Sequence, residues 1–430
     1  LTRQRAEEAG VPTADLNKMD WQKFAALVLS PGVPYKFPEP HRMVKMAQAL
    51  DVPVVGDMEL FASAVNALPP HARPKIIGVT GTNGKSTTTA LIGHVLKNAG
   101  RDVRVGGNIG VGVLDLDALS ANSIYVLELS SYQLDLIESL RCDVSVFLNI
   151  SPDHLDRHGG LDGYVAAKSR IFRNQTEEDV AVIGVDDLRT QVLCTRLAAE
   201  NRRRVVPISS EMALGRGVSV LGGKLSDSAS GRTDAQIDIS DAKTLRGQHN
   251  HQNAAAAFAA CRAMGLEPQD IMEGVHSFPG LPHRMEVAAE VQGVAFVNDS
   301  KATNAQAAEQ ALRAYPNAYW IVGGRPKDDG IDDLDAYFPH VRKAYLIGQA
   351  QEDFSRTLRG KLTVEKCGTL EKAVEAAFND ALASGEDNPV VLFSPACASF
   401  DQFKDFEVRG DAFKNIVGGL PSQAIVRATA

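Results

Sequence analysis

The stretch Lys75-Ile-Ile-Gly-Val-Thr80-Gly81-Thr82-Asn83-Gly84-Lys85-Ser86-Thr87 decides the architecture. Its first half is apolar and β-branched, which predicts a buried strand over Lys75–Thr80. Gly81 to Gly84 then form a turn, and a helix begins near Lys85. A strand, a glycine-bearing turn and a helix N-terminus in that order aim several backbone N–H donors, and the positive end of a helix dipole, at one point. A phosphate group needs that arrangement. Lys85 adds a mobile cation for β- and γ-phosphates, and the hydroxyl of Ser86 or Thr87 can ligate Mg2+. The strict G-x-x-x-x-G-K-[ST] pattern would place glycine at position 79, where this chain has Val79. A glycine-rich turn that binds nothing is the competing reading, and the strand–turn–helix context argues against it.

Outward from the loop, short apolar runs alternate with helix-length amphipathic segments, the βαβ signature of doubly wound parallel sheets. Strands are expected at Val103–Val105, Ile124–Leu129, Val144–Asn149, Val180–Gly184 and Arg204–Ile208. Residues 217–245 break the rhythm and suggest a hairpin excursion, and an Ala-rich helix follows at Asn250–Met264. Upstream, residues 1–68 offer a strand at Ala25–Leu29, a helix around Pro40–Leu50 and a short strand at Val52–Val55. That is too little for a complete sheet domain. Pro69-Pro70-His71-Ala72-Arg73-Pro74 reads as a linker, because consecutive prolines continue neither a helix nor a ladder. A second boundary falls near Phe278-Pro279-Gly280-Leu281-Pro282. Beyond it strands are expected at Val294–Asn298, Tyr319–Val322, Ala344–Ile347, Leu362–Lys366 and Pro389–Phe393. Within Thr369–Ser384, Thr369 can cap a helix whose apolar face is Leu370, Ala373, Val374, Ala377, Phe378 and Ala381. The chain therefore reads as α/β with three domains, 1–68, 69–280 and 281–430.

The length of 430 residues suits that count. A hydrophobic fraction of 44% with 23% charged residues excludes disordered, collagenous and coiled-coil chains. Lys+Arg number 45 against 53 Asp+Glu, a net charge of −8. That sign is wrong for a phosphate-backbone binder, so nucleic acid is not an expected partner. Any anionic ligand must be met by local cations and helix N-termini. The cysteines at 142, 194, 261, 367 and 397 never form C-x-x-C, which reads as reduced, cytoplasmic usage without a disulfide frame or a zinc site. No apolar run reaches the roughly 18 residues of a membrane span.

The departure at Val79 is part of a resemblance. Thr80-Gly-Thr-Asn-Gly-Lys-Ser-Thr87 resembles the ATP loop of the Mur ligases, ATP-dependent amide ligases of peptidoglycan synthesis. Further blocks extend the match over nearly all of residues 20–420 and narrow it to the D-glutamate-adding branch. They are Gly106-Gly-Asn-Ile-Gly110, Leu127-Glu-Leu-Ser-Ser-Tyr-Gln-Leu134, Asp153-His-Leu-Asp-Arg157, Gly247-Gln-His-Asn-His-Gln-Asn253, Asn298-Asp-Ser-Lys-Ala-Thr-Asn304 and Ser394-Pro-Ala-Cys-Ala-Ser-Phe-Asp-Gln-Phe403. The resemblance implies a UDP-substrate-binding domain, a central P-loop ATPase-like domain and a C-terminal Rossmann-like amino-acid-binding domain. It also implies a cytoplasmic, monomeric enzyme that uses ATP and two Mg2+ ions. Its small-molecule substrates would be UDP-N-acetylmuramoyl-L-alanine and D-glutamate, joined through an acyl phosphate with release of ADP and phosphate.

Each block has its own physical reading. Glu128 ends an apolar strand at the carboxyl edge, where open α/β sheets bind ligands, and is either a hard-oxygen Mg2+ ligand or a solvated strand end. His154 could be a packed or capping residue; the resemblance makes it a ligand of a second Mg2+. Lys168, in a helical stretch Tyr164–Arg173, is a cation that cannot ligate Mg2+. It is an ordinary surface lysine or, as the resemblance implies, a carbamate that completes the second metal site. Asn250 and Asn253 share a helix face and would meet the nucleotide, with simple capping by Asn250 as the alternative. By resemblance, Arg284 and Asp299 contact the nucleotide ribose and phosphates, so that domain closure clamps ATP. By the same resemblance, Asn108 would touch the UDP pyrophosphate, and Gly32 would belong to the surviving half of the UDP site. Thr303, Lys327, Ser399, Phe400 and Phe406 are carried over to D-glutamate, although Arg325 stands where some relatives place Asp and the two aromatics could be core.

Two rival functions deserve a discriminating observation. Another amino-acid-adding member of the same family, one taking a diamino acid, is disfavoured by the Ser394–Phe403 block. A P-loop NTPase acting as a switch or motor would leave the third-domain blocks without a role. The start of the chain, charged and without Met, carries no signal peptide pattern. Because the glycine-rich turn expected to bind UDP is not present in residues 1–68, a few tens of residues are expected to be missing there.

Overall fold

The computed structural model describes residues 6–7, 9–245, 247–326 and 330–421. They separate into two compact units, Leu1–Asp241 with Asn250–His276, and Ala242–His249 with Ser277–Ala430. No helix among the described residues is long and apolar enough to cross a membrane.

The first unit opens with a parallel pair, β1 (Leu27–Val28) and β2 (Val54–Val55). The strand expected at Ala25–Leu29 is thus trimmed to two residues. The helix between them, Arg42–Ala49, starts after Pro40, with His41 accepting from the Met43 N–H, and buries Met43, Val44 and Ala47. Helix Asp57–Asn66 follows and places Met58, Phe61, Ala62 and Val65 in one core with Tyr125, Leu127 and Phe147. Full burial of such a side chain contributes about 1.5–3 kcal/mol, so this segment is firmly seated on the sheet that follows.

That sheet has nine strands: β3 (Lys75–Thr80), β4 (Asp102–Gly107), β5 (Ser123–Glu128), β6 (Val144–Phe147), β7 (Val180–Gly184), β8 (Arg204–Ser209), β9 (Val218–Leu221), β10 (Lys224–Asp227) and β11 (Ala235–Asp238). Their order is β11-β10-β9-β8-β7-β6-β3-β5-β4. Pairing is parallel from β4 across to β9, and the expected hairpin excursion is the antiparallel β9–β10–β11 edge. β5 and β6 lie on opposite sides of β3, so the chain reverses its direction of travel there. Such a switch point opens a crevice beyond the carboxyl ends of the strands, which is where ligands bind in open parallel sheets.

The second unit holds β12 (Glu286–Val291), β13 (Val294–Asn298), β14 (Ala318–Gly323), β15 (Val341–Ile347), β16 (Val364–Gly368) and β17 (Val390–Phe393), in the order β12-β13-β17-β14-β15-β16. All pairs are parallel except the hairpin β12–β13. The sequence reading lacked β12, an edge strand with no clean apolar alternation. Its signal was the two-residue turn Gln292-Gly293, in which both residues adopt positive φ. Helix Leu370–Ala383 buries the face expected of it, but Thr369 makes no side-chain capping bond.

Candidate functional site

In the first unit the loop after β3 stands at the switch point. Gly84 has φ +82°, in the left-handed region, and N-caps helix Lys85–Asn98. A Cβ on Gly84 would lie 2.2 Å from Asn253 Oδ1, so only glycine fits. Two of the loop's N–H groups, those of Thr82 and Asn83, are already engaged. Thr82 N–H donates to Asn149 O at 2.9 Å and Asn83 N–H to Asn149 Oδ1 at 2.9 Å. Thr82 and Asn83 are thus withheld from a ligand, and the donors that remain at the helix start are those from Gly84 onward, in the first helical turn, whose N–H groups have no intrahelical acceptor. Ser86 and Thr87 are buried at that helix start.

Two lysines converge on the same turn. Lys85 Nζ donates to Gly81 O (3.0 Å) and Thr82 O (2.7 Å), folding back over the loop. Lys168 Nζ donates to the same Gly81 O at 2.7 Å and to Thr80 Oγ1 at 3.4 Å. Lys168 is 1% exposed, at the end of helix Leu161–Ser169, so it is no surface lysine. Burial, reinforced by the charge of Lys85 and opposed by Asp153 and Glu128, holds its amine well below the usual lysine range. Burial thus shifts this amine toward its neutral, nucleophilic form.

Glu128 is 2% exposed, which disposes of the solvated strand end. Its Oε1 accepts from Asn108 Nδ2 at 2.8 Å, while Oε2 is buried without a hydrogen-bond partner. An orphaned carboxylate oxygen is costly unless a cation or donor satisfies it. His154 has φ +52° ahead of the short helix Leu155–His158 and makes no side-chain capping bond. Its imidazole is half exposed, 3.4 Å from Asp153 and packed against the Tyr132 ring at 5.0 Å. Burial lowers its pKa, with Asp153 opposing. Among the described residues no cluster of three or more His, Cys, Asp or Glu forms a ready-made metal site. Ser86 and Glu128 fit Mg2+ on the strength of the orphaned Glu128 oxygen, whereas Lys168, a donor to the Gly81 carbonyl, fits a metal only if it is first converted to an oxygen ligand.

Asn250 and Asn253 are both buried in helix Gln248–Ala263. Asn253 accepts from Thr88 Oγ1 at 3.1 Å and donates to Asn250 Oδ1 at 3.0 Å, so this pair clamps one helix against the helix that the loop opens. Gly32 O accepts from Arg157 Nη1 at 3.3 Å, beside a small pocket lined by Pro31, Tyr35, Lys36 and Tyr132. Sequence reasoning missed Asn149 and Gln252, although Gln252 lies inside a quoted block. It also missed His158, fully buried between Ser131 Oγ (3.0 Å) and Asp135 (3.1 Å).

In the second unit the carboxyl ends of β13, β14 and β17 come together. Asp299 is buried, accepting from Ser394 Oγ (2.7 Å) and Met285 N–H (3.2 Å). Burial pushes its carboxyl up to about 7, against the opposing pull of the Ser394 bond and the Arg284 charge. Arg284 Nε is buried without a hydrogen-bond partner. Arg325 pairs through its backbone with Ala398, which brings the Gly323-Gly324 turn beside Ser399, 2% exposed. Phe400 is 65% exposed, so it is not core. Phe406 starts helix Phe406–Gly418, half-buried, with Lys301 Nζ 5.5 Å over its ring. Thr303 is half-buried just before Asn304, which caps helix Ala305–Ala314. Lys327 lies outside the described residues. Arg409, which the sequence reading missed, is a buried guanidinium that donates to Ser300 Oγ (3.0 Å) and Ser300 O (2.8 Å). Burial lowers its pKa to about 10.

Known proteins share this sequence and this fold. The Mur ligase middle domain matches residues 79–261, and the Mur ligase glutamate ligase domain matches residues 283–397. A UDP-N-acetylmuramoylalanine–D-glutamate ligase of Caulobacter sp. (strain K31) is 58% identical over 427 residues, covering 99% of this chain and 91% of that protein. The protein of the same name from Brucella abortus (strain 2308) is 49% identical over 418 residues, 97% of this chain and 88% of that one. Among solved structures, UDP-N-acetylmuramate-alanine ligase MurC from Thermotoga maritima has a TM-score of 0.60 at 17% identity, covering 96% of this chain and 90% of that one. MurF ligase from Thermotoga maritima in complex with ADP has a TM-score of 0.59 at 19% identity, covering 93% and 97%. These two share the fold.

Proposed function

The chain belongs to the UDP-N-acetylmuramoylalanine–D-glutamate ligase family of the Mur ligases, and from that premise we propose that it joins D-glutamate to UDP-N-acetylmuramoyl-L-alanine with cleavage of ATP. It does so in the cytoplasm, as a monomer, in peptidoglycan synthesis. The observation that carries the reading is the convergence at one switch point of a glycine-opened helix start, Lys85, the orphaned oxygen of Glu128 and the buried amine of Lys168.

In the proposed reaction the carboxylate of the muramoyl-alanine substrate attacks the γ-phosphorus of ATP. A P–O bond forms to the carboxylate, the bridging P–O bond to ADP breaks, and an acyl phosphate results. The amine of D-glutamate then attacks the acyl carbon, forming the C–N bond and expelling phosphate. Gly81 to Thr87 cradle the phosphates, with the N–H groups from Gly84 onward as donors. Lys85 leaves the Gly81 and Thr82 carbonyls to meet the β- and γ-phosphates, exchanging neutral acceptors for charged ones. Mg2+ held by Ser86 and Glu128, with a second ion at His154 and Lys168, would neutralise charge on the transferring phosphoryl group. For the second ion Lys168 must become an oxygen donor. Its free amine adds to CO2 with loss of a proton, giving a carbamate, and the burial that lowers its pKa shifts it toward that reactive free form.

Asn250 and Asn253 are assigned to the nucleotide, as are Arg284 and Asp299. Asn108 and Gly32 belong to the UDP substrate, and Thr303, Lys327, Ser399, Phe400 and Phe406 to D-glutamate. The test is ADP release measured with each substrate omitted in turn. The reading expects turnover only with ATP, UDP-N-acetylmuramoyl-L-alanine and D-glutamate together; turnover without D-glutamate overturns it.

A further inference from the structure

A partly buried chain of polar groups runs from the ends of β7 and β8 to the apex of the phosphate loop. Asp186, just beyond β7, accepts from Ser209 Oγ (2.5 Å), Ser210 N–H (3.0 Å), Ser210 Oγ (3.0 Å) and Gln252 Nε2 (2.8 Å). Gln252 is 6% exposed, and its Oε1 accepts from Asn149 Nδ2 at 2.8 Å. Asn149 closes the chain on the loop. Its Oδ1 accepts the Asn83 N–H (2.9 Å), its Nδ2 also donates to Asn83 O (3.3 Å), and its carbonyl accepts the Thr82 N–H (2.9 Å).

The direction of this chain follows from its end. A carboxylate only accepts, whereas an amide has one donating and one accepting side. Asp186 therefore draws the NH2 of Gln252 and turns Oε1 toward Asn149. That in turn draws the NH2 of Asn149 and leaves its Oδ1 for the Asn83 N–H. Were either amide reversed, donors would face donors beside the buried Gln252, where an unmade bond is expensive. Resting on the nucleotide reading of this loop, we propose that Asp186 and Gln252 are positioning residues for the phosphate loop. They act through Asn149, which consumes the N–H groups of Thr82 and Asn83 and so presents those from Gly84 onward to phosphate. The loop is thereby shaped before nucleotide arrives, which lowers the ordering cost of binding.

The experiment is calorimetric titration of the full chain with ADP and Mg2+, on wild type, Asn149→Ala, Gln252→Leu, Asp186→Asn and the double variant Asn149→Ala/Gln252→Leu. Thermal unfolding of each is followed in parallel, and Gln252→Met replaces the Leu variant if that one fails to fold. Wild-type binding is the control for the nucleotide reading: its absence would overturn that reading and not the relay. With wild type binding, Asn149→Ala is expected to weaken ADP about ten-fold, the scale of losing its hydrogen bonds to the loop. Gln252→Leu and Asp186→Asn should each weaken it about three-fold. Gln252→Leu should cost nothing further on top of Asn149→Ala, and amide hydrogen exchange at positions 82 and 83 should quicken in every variant. A purely structural role would lower the unfolding temperature without touching ADP affinity. Unchanged affinity in Asn149→Ala, or an undiminished Gln252→Leu effect in the double variant, overturns the proposal.

Discussion

The loop of the first unit and the buried acid of the second stand at carboxyl edges of parallel sheets, yet they gather their groups in opposite ways. Gly81 to Thr87 is one continuous segment, and most of its shape is local: glycine torsions, a helix start and a lysine folding back on the turn, with Asn149 fixing two of its N–H groups from outside. Around Asp299 the polar partners come from distant segments. Asp299 meets Ser394 across 95 positions, and Ser300 meets Arg409 across 109. The first kind of site is specified by torsion and close approach, the second by the packing of distant segments. They should therefore fail differently: one to a single methyl group, the other to charge state.

The largest effect is expected from Gly84→Ala. A Cβ at this φ of +82° strains the backbone, and it would sit 2.2 Å from Asn253 Oδ1. Because Asn253 is held by Thr88 and Asn250, the clash and the backbone strain together displace the loop, and misplacement approaching ~1 Å costs about 100-fold in rate. ADP release at saturating substrates is the measurement. Activity within a few-fold of wild type would break the claim that this site is set by close approach.

The same contrast governs what was legible in the sequence. The loop and most strands of both sheets were readable, because torsional and apolar signals sit in consecutive residues. Lys85, Glu128 and Lys168 were found as motif positions, but the sequence could not show that Lys168 shares Gly81 O with Lys85, or that Glu128 keeps an unpartnered oxygen. Asn149 escaped notice as the last residue of an expected strand, since its role exists only once β6 lies beside β3. Arg409 escaped for the same reason at greater range. β12 lacked the period-2 pattern that would have shown it. Register across a sheet places groups that no window of sequence contains.

A second prediction concerns charge. Asp299 has a carboxyl raised from its ordinary 3.8 to about 7. The folded chain therefore holds a proton that the unfolded chain has already lost, and stability falls as pH rises through that window and levels off above it. Asparagine has no proton to lose. Asp299→Asn should raise the unfolding temperature relative to wild type at pH 8, and the advantage should shrink steadily as pH is lowered to 4. A difference that stays constant from pH 4 to 8 would mean that the acid is not carrying its burial as a charge cost, and the contrast with the loop would lose its basis.

The smallest effect separates contact with a ligand from contact with the fold. Phe400 is 65% exposed, next to the buried Ser399, in a segment assigned to D-glutamate. An exposed ring contributes little to folding, so Phe400→Ala should move stability by no more than about 0.5 kcal/mol. If the ring lies against the amino-acid substrate, losing its apolar contact should raise the KM for D-glutamate by roughly 5-fold, on the scale of about 1 kcal/mol, and leave the KM for ATP alone. Steady-state kinetics with each substrate varied reads both constants. Equal changes in the two would place Phe400 in general support of the unit, and no change in either would remove it from the site. A selective rise for D-glutamate would show that the second unit, like the first, carries a feature whose only use is the ligand.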